Sequence, residues 1–120
     1  MKTKTASLTG AALDWMVAMC EKTQITGIQE HLDESKEFPK HTVKAVGAAY
    51  RPSSSWRIAG PIIEREKISP YYMPGEVGGA WRAERLGWYP SAGPTLPVAA
   101  MRCYVASKLG DEVDVPEELL

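Results

Sequence analysis

The sequence predicts an α+β domain: a small antiparallel sheet flanked by an N-terminal and a C-terminal helix. Three observations carry this. Apolar residues recur at three- and four-residue spacing from Leu8 to Lys22, and again from Thr95 to Leu109. Between them, Gly and Pro break the chain into short β-branched or aromatic runs. At 120 residues, 44% hydrophobic with four Trp and five Tyr, the chain can bury one core and is too short for two. Residues 1–120 therefore read as a single domain.

In the first helix Thr9 stands at the capping position and Ala12, Trp15, Met16 and Met19 form one apolar row. Leu13, Val17 and Cys20 form a second row, which leaves Asp14, Ala18 and Glu21 for water. Thr23 to His41 is mostly polar, with charges in succession from Asp33 to Glu37, and reads as a loop. Thr42, Val43 and Val46 suggest a strand over 42–50. Pro52-Ser53-Ser54-Ser55 is a turn by composition. Ile62 and Ile63, after Gly60-Pro61, suggest a strand within 57–68.

From Ser69 to Gly93 the chain reads as an irregular connection with one strand at Trp81–Leu86. The expected sheet is therefore built from 42–50, 57–68 and 80–86, with both helices covering one face. Gly93-Pro94-Thr95 opens the second helix. Thr95 is placed to cap it, Pro97 is tolerated in its first turn, and Val98, Met101, Tyr104, Val105 and Leu109 line one face. Lys108 suits the end of that helix and Gly110 stops it. The tail 111–120 carries five carboxylates, and Val113 and Val115 alternate as in an edge strand before Pro116.

Fourteen basic against fifteen acidic side chains leave a net charge of −1, which gives no long-range attraction to a phosphate backbone and argues against generic nucleic-acid binding. No apolar run reaches secretory or membrane-spanning length, so the expected location is the cytosol, with no membrane partner. Cys20 and Cys103 fall in helical segments and read as small core thiols. With His31 and His41 they show no metal-ligand spacing, so neither a metal nor a cofactor is expected.

Three blocks carry a family resemblance. They are Leu8-Thr9-Gly10 with Ala12-Leu13-Asp14-Trp15; Pro52-Ser53 with Trp56 and Gly60-Pro61-Ile62-Ile63-Glu64-Arg65-Glu66; and Gly93-Pro94-Thr95 with Ala99 to Glu112. Covering about half of the chain, they resemble the NinX-like proteins encoded by lambdoid phages, a family with no assigned catalytic residue. Departures lie in Thr23–Thr42 and Lys67–Ala92, and Ser55 stands where many relatives carry Asp. The layout, a Gly-x-Ala-Leu helix followed by Trp-rich turns, also resembles phage anti-defence proteins that sequester cyclic ADP-ribose-type signals of the Thoeris system. That second resemblance implies a non-enzymatic, counter-defence role in the host cytosol.

Residues 50–89 hold three of the four Trp, four of the five Tyr and five of the six Arg. Aromatic faces stack on nucleobases and guanidinium groups grip phosphate oxygens in pairs, so the set suits a small nucleotide-like ligand. Tyr50, Ser53, Trp56, Arg65, Trp81 and Arg82 are the candidate contacts. The same composition also fits core aromatics with solvated arginines, or an oligomer interface. A homo-oligomer is expected because the wide apolar face of the first helix and these aromatics exceed what a three-stranded sheet in a lone domain would bury. Ser53 to Ser55 and Gly60-Pro61 read either as an anion-binding turn or as tight turns. Glu64-Arg65-Glu66 has the residues for acid–base work and equally those of a solvated strand edge; no nucleophile lies at motif spacing from a His. A different class of function, a protein–protein adaptor or inhibitor acting through the acidic tail, is the alternative.

Overall fold

The computed structural model describes residues 1–32, 39–46, 48–75, 81–86 and 88–120. Its centre is helix α3 (Leu96–Leu109), in which nine residues from Pro97 to Ala106 are buried. The segment Pro97-Val98-Ala99-Ala100-Met101 and Cys103-Tyr104-Val105-Ala106 is apolar around most of its circumference, which is the pattern of a helix enclosed by its own domain. It packs on an antiparallel sheet ordered β5-β6-β7 (Ile68–Tyr72, Trp81–Arg85, Trp88–Gly93) and against helices α1 (Gly10–Glu21) and α2 (Trp56–Glu66). Leu13, Val17, Met101, Tyr104 and Val105 form the middle of the core.

Two smaller sheets complete the domain. Strands β2 (Ile25–Leu32), β3 (Pro39–Ala45) and β4 (Ala48–Ala49) form one, and α1 packs on β3. Strands β1 (Lys2–Lys4) and β8 (Glu112–Asp114) form the other, with Lys2 opposite Asp114 and Lys4 opposite Glu112. The cross-strand charges are opposite, and the terminal ammonium of Met1 donates to Asp114 at 2.6 Å. Val113, Val115 and Leu119 are buried, so the acidic segment is sewn into the domain and is not a free tail.

The α+β class and both terminal helices stand as the sequence indicates, but the sheet differs. Residues 57–68, expected as a strand, are mostly helix α2. Ala59 and Ile62 are buried and Ile58 and Ile63 half-buried, a helical spacing that adjacent Ile62-Ile63 concealed. Pro61 sits on the exposed face with Arg57 and Glu64, so the Arg57 carbonyl, to which it has no N–H to donate, is open to solvent. Gly60-Pro61 is thus inside a helix and is not a turn.

Strand β2 lies within the stretch read as a loop. Its hairpin with β3 is half-exposed, so little apolar alternation marks it. The charged run Asp33 to Glu37 and the Gly78-Gly79 pair lie outside the described residues. Strands β5 and β7 were hidden by Pro70 and Pro90. Both are edge strands, where a missing ladder donor costs least. Asp14 and Ala18, assigned to water, are 4% and 0% exposed.

Candidate functional site

Among the described residues, the N-terminal ends of the three α-helices meet at a cavity of about 650 Å³. Thr9 and Gly10 come from the start of α1, Ser53, Ser54 and Trp56 from the start of α2, and Thr95 to Val98 from the start of α3. Trp81, at the beginning of β6, closes the remaining side. The first amides of a helix have no intrahelical acceptor, and the aligned peptides leave roughly half an elementary charge at each N-terminus. Such ends favour negative charge at the cavity, whose described wall holds no cationic side chain, while the Asp14 carboxylate behind Ser53 opposes them.

Capping differs among them. Thr95 caps α3 as expected, its Oγ1 accepting from Val98 N–H at 3.3 Å. The Thr9 and Ser55 side chains make no capping bond, contrary to the expectation for Thr9. The Thr9 hydroxyl is therefore not spent on its own helix.

Three devices hold the cavity open in this shape. Arg102 on α3 donates from Nε to the Leu8 carbonyl at 2.7 Å and from Nη1 to the Ala92 carbonyl at 2.8 Å, tying the chain just before α1 to the end of β7. Gly93, opposite Trp81 in the sheet, lies so close to α3 that a Cβ there would come within 2.7 Å of the Ala99 amide nitrogen. Asp14, buried in α1, accepts the Ser53 N–H at 2.8 Å and so anchors the turn before α2. Burial pushes the Asp14 carboxyl up to about 6, against the opposing pull of the Ser53 hydrogen bonds and Arg51.

The six candidate contacts do not form one set. Ser53, Trp56 and Trp81 line the cavity. Trp56 is 57% exposed, which fits a ligand face better than a core position. Arg82 lies one residue along β6, between Trp81 and the buried Ala83, so it projects from the opposite face of the sheet. Tyr50 packs against the core, and burial raises its phenol despite a hydrogen bond with Thr23.

Arg65 belongs to the other end of the helices. It donates to Glu21 Oε1 at 3.1 Å and Oε2 at 2.5 Å, to Glu66 Oε2 at 2.8 Å and to Tyr104 Oη at 3.3 Å. The Tyr104 hydroxyl donates to Glu21. Glu66 Oε1 lies 3.1 Å from Arg85 Nη2 and 3.3 Å from Lys108 Nζ. Arg65 holds both Glu21 and Glu66 below the usual carboxylate range, and burial lifts the Tyr104 phenol. The Glu64-Arg65-Glu66 triplet is thus a helix terminus in which Glu64 faces water and Glu66 turns inward. It is a structural knot and not the strand edge read from the sequence.

Burial pushes both thiols, Cys20 and Cys103, up to about 11, which makes them poor nucleophiles near neutral pH. Among the described residues no group of three or more His, Cys, Asp or Glu is placed to hold a metal ion, and no helix is long and apolar enough to cross a membrane. Thr9, Gly10, Thr95 and Arg102 were outside the candidate set. The capping residues were legible as helix starts, whereas their convergence is tertiary.

The family model of Bacteriophage P22, NinX matches residues 4–108, a span that contains every residue of the cavity wall and of the Glu21–Arg65 cluster. The chain belongs to that family. No curated protein matches it.

Proposed function

We propose that this member of the P22 NinX family captures a small nucleotide-like anion in the cavity and holds it unchanged. One observation carries the reading: two indoles and the N-termini of three helices face the same space of about 650 Å³. A helix N-terminus is a ready anion site, offering free amides and a favourable dipole. An indole offers a flat face on which a base stacks, irrespective of its sequence identity. The volume is in the range of small-molecule sites. A concave site of this kind with a net charge of −1 on the chain suits a discrete ligand and not a polymer backbone. Capture without turnover fits a counter-defence role, in which the protein lowers the free concentration of a nucleotide-derived host signal.

The test is calorimetry against mononucleotides, cyclic nucleotides and ADP-ribose derivatives, with mass spectrometry of the recovered compound. We expect at least one member to bind, to be recovered intact, and to lose about tenfold or more in affinity for Trp56→Ala, as removal of one stacking partner does. That variant should stay folded, since Trp56 is 57% exposed. Absence of binding across the panel, or Trp56→Ala binding as tightly as the unmodified protein, would sink the reading.

A further inference from the structure

The aromatic surface does not end at the cavity. Tyr72, the last residue of edge strand β5, stands directly opposite Trp81 in the β5–β6 register and so shares its face of the sheet. The ring centroids are 5.2 Å apart with the planes tilted by 60°. At that tilt the rings do not lie flat on one another, and the Tyr72 side chain remains 55% exposed. Met73, next along the chain, is 37% exposed. Trp81 therefore borders both the cavity and a second, solvent-open ring.

Resting on the reading of the cavity as a nucleotide site, we infer that the ligand carries two ring systems joined by a phosphodiester, and that Tyr72 is the residue that reads the second ring. Successive aromatic side chains that take successive bases are a general means of holding a short nucleotide chain. Here one ring enters between Trp56 and Trp81 and the anionic linker meets the helix N-termini. The second ring leaves the cavity beside Trp81, where Tyr72 waits. Covering Tyr72 removes an apolar ring from water, which adds affinity only for a ligand long enough to reach it.

Calorimetry with two probes separates this inference from the reading beneath it. Adenosine monophosphate has one base, and adenylyl-adenosine has two bases linked by one phosphodiester. We expect the dinucleotide to bind at least tenfold more tightly than the monophosphate. Tyr72→Ala should erase that advantage while leaving monophosphate affinity within about twofold, and Tyr72→Phe should restore it because the stacking face returns. Equal affinities for the two probes, or equal weakening of both by Tyr72→Ala, would overturn the inference and leave the cavity reading standing. If the unmodified protein binds neither probe nor any other nucleotide of the panel, both fall together.

Discussion

The same three helices end in two different kinds of place. At their C-terminal ends, the described charges answer one another: Arg65 bridges Glu21 and Glu66, Lys108 and Arg85 approach Glu66, and Tyr104 bonds Glu21. Basic side chains there also suit the negative ends of the helix dipoles. At the N-terminal ends the wall is hydroxyls, backbone amides, two indoles and aliphatic side chains around an open volume. One end is paired largely from within the chain and ties α1, α2 and α3 together, although the buried Glu66 Oε1 and Arg85 Nε make no hydrogen bond there. The other presents hydroxyls and ring faces around a volume that no described residue fills.

The comparison breaks most visibly if a cluster residue is removed at its core. Tyr104 is 1% exposed, and its hydroxyl meets Glu21 and Arg65. Tyr104→Ala should cost about 3–5 kcal/mol, the range for truncating a buried aromatic, and lower the melting temperature by roughly 10–20 °C in a thermal-shift assay. The fraction that remains folded should keep its nucleotide affinity. A variant with unchanged melting temperature and no binding would show that the two ends are not divided as described.

How far the sequence reveals this division depends on the range of each interaction. Thr9-Gly10 and Gly93-Pro94-Thr95 mark helix starts locally, so two of the three cavity corners were legible as helix N-termini, though not as parts of a site. The third was blurred because Ile62-Ile63 and Gly60-Pro61 mimic a broken strand, while the helical spacing from Ala59 to Ile62 and Glu66 carries the opposite message. Trp56 and Trp81 were picked out by aromatic enrichment alone. Arg65 was picked out by the same argument and belongs elsewhere, because its partner Glu21 lies 44 positions away. Asp14 was assigned to water because periodicity cannot foresee that Ser53, 39 positions on, would bring a buried amide to it. Polar residues on a helix are ambiguous until their distant partners are known.

The two regions should also answer pH in opposite senses. Asp14, below the cavity wall, has its carboxyl raised from 3.8 to about 6 by burial. The folded state therefore binds more protons than the unfolded state between those values, and stability falls as pH rises through that window and levels off above it. About two pK units correspond to roughly 3 kcal/mol, as an order of magnitude. Glu21 and Glu66 are lowered, so the stability they add is present above their ordinary 4.5 and lost as pH falls through their folded values. Asp14→Asn keeps an oxygen to accept Ser53 N–H and removes the charge. Urea unfolding between pH 3 and 8 should show the slope from about pH 4 to 6 flattened, the acid loss retained, and stability at pH 7 raised by up to about 3 kcal/mol. An unaltered slope in that window would mean that Asp14 is not the group responsible.

The smallest effect, on Arg65, is the sharpest discriminator because the sequence alone placed this residue in the ligand site. Its side chain is 51% exposed, so Arg65→Ala should cost only about 1 kcal/mol, as expected for a partly solvated ion-pair network. With the guanidinium gone, Glu21 and Glu66 rise toward their ordinary 4.5, and the deficit relative to the unmodified protein should be full at neutral pH and vanish as pH falls through the carboxylates' native values. Arg65→Lys should recover only part of it, since an ammonium cannot present the fork that spans both oxygens of Glu21 and also reaches Glu66. Nucleotide affinity should remain within about twofold in both variants, because the residue sits at the far ends of the helices that frame the cavity. Loss of binding by Arg65→Ala at unchanged melting temperature would move the ligand to the cluster and reverse the roles of the two ends.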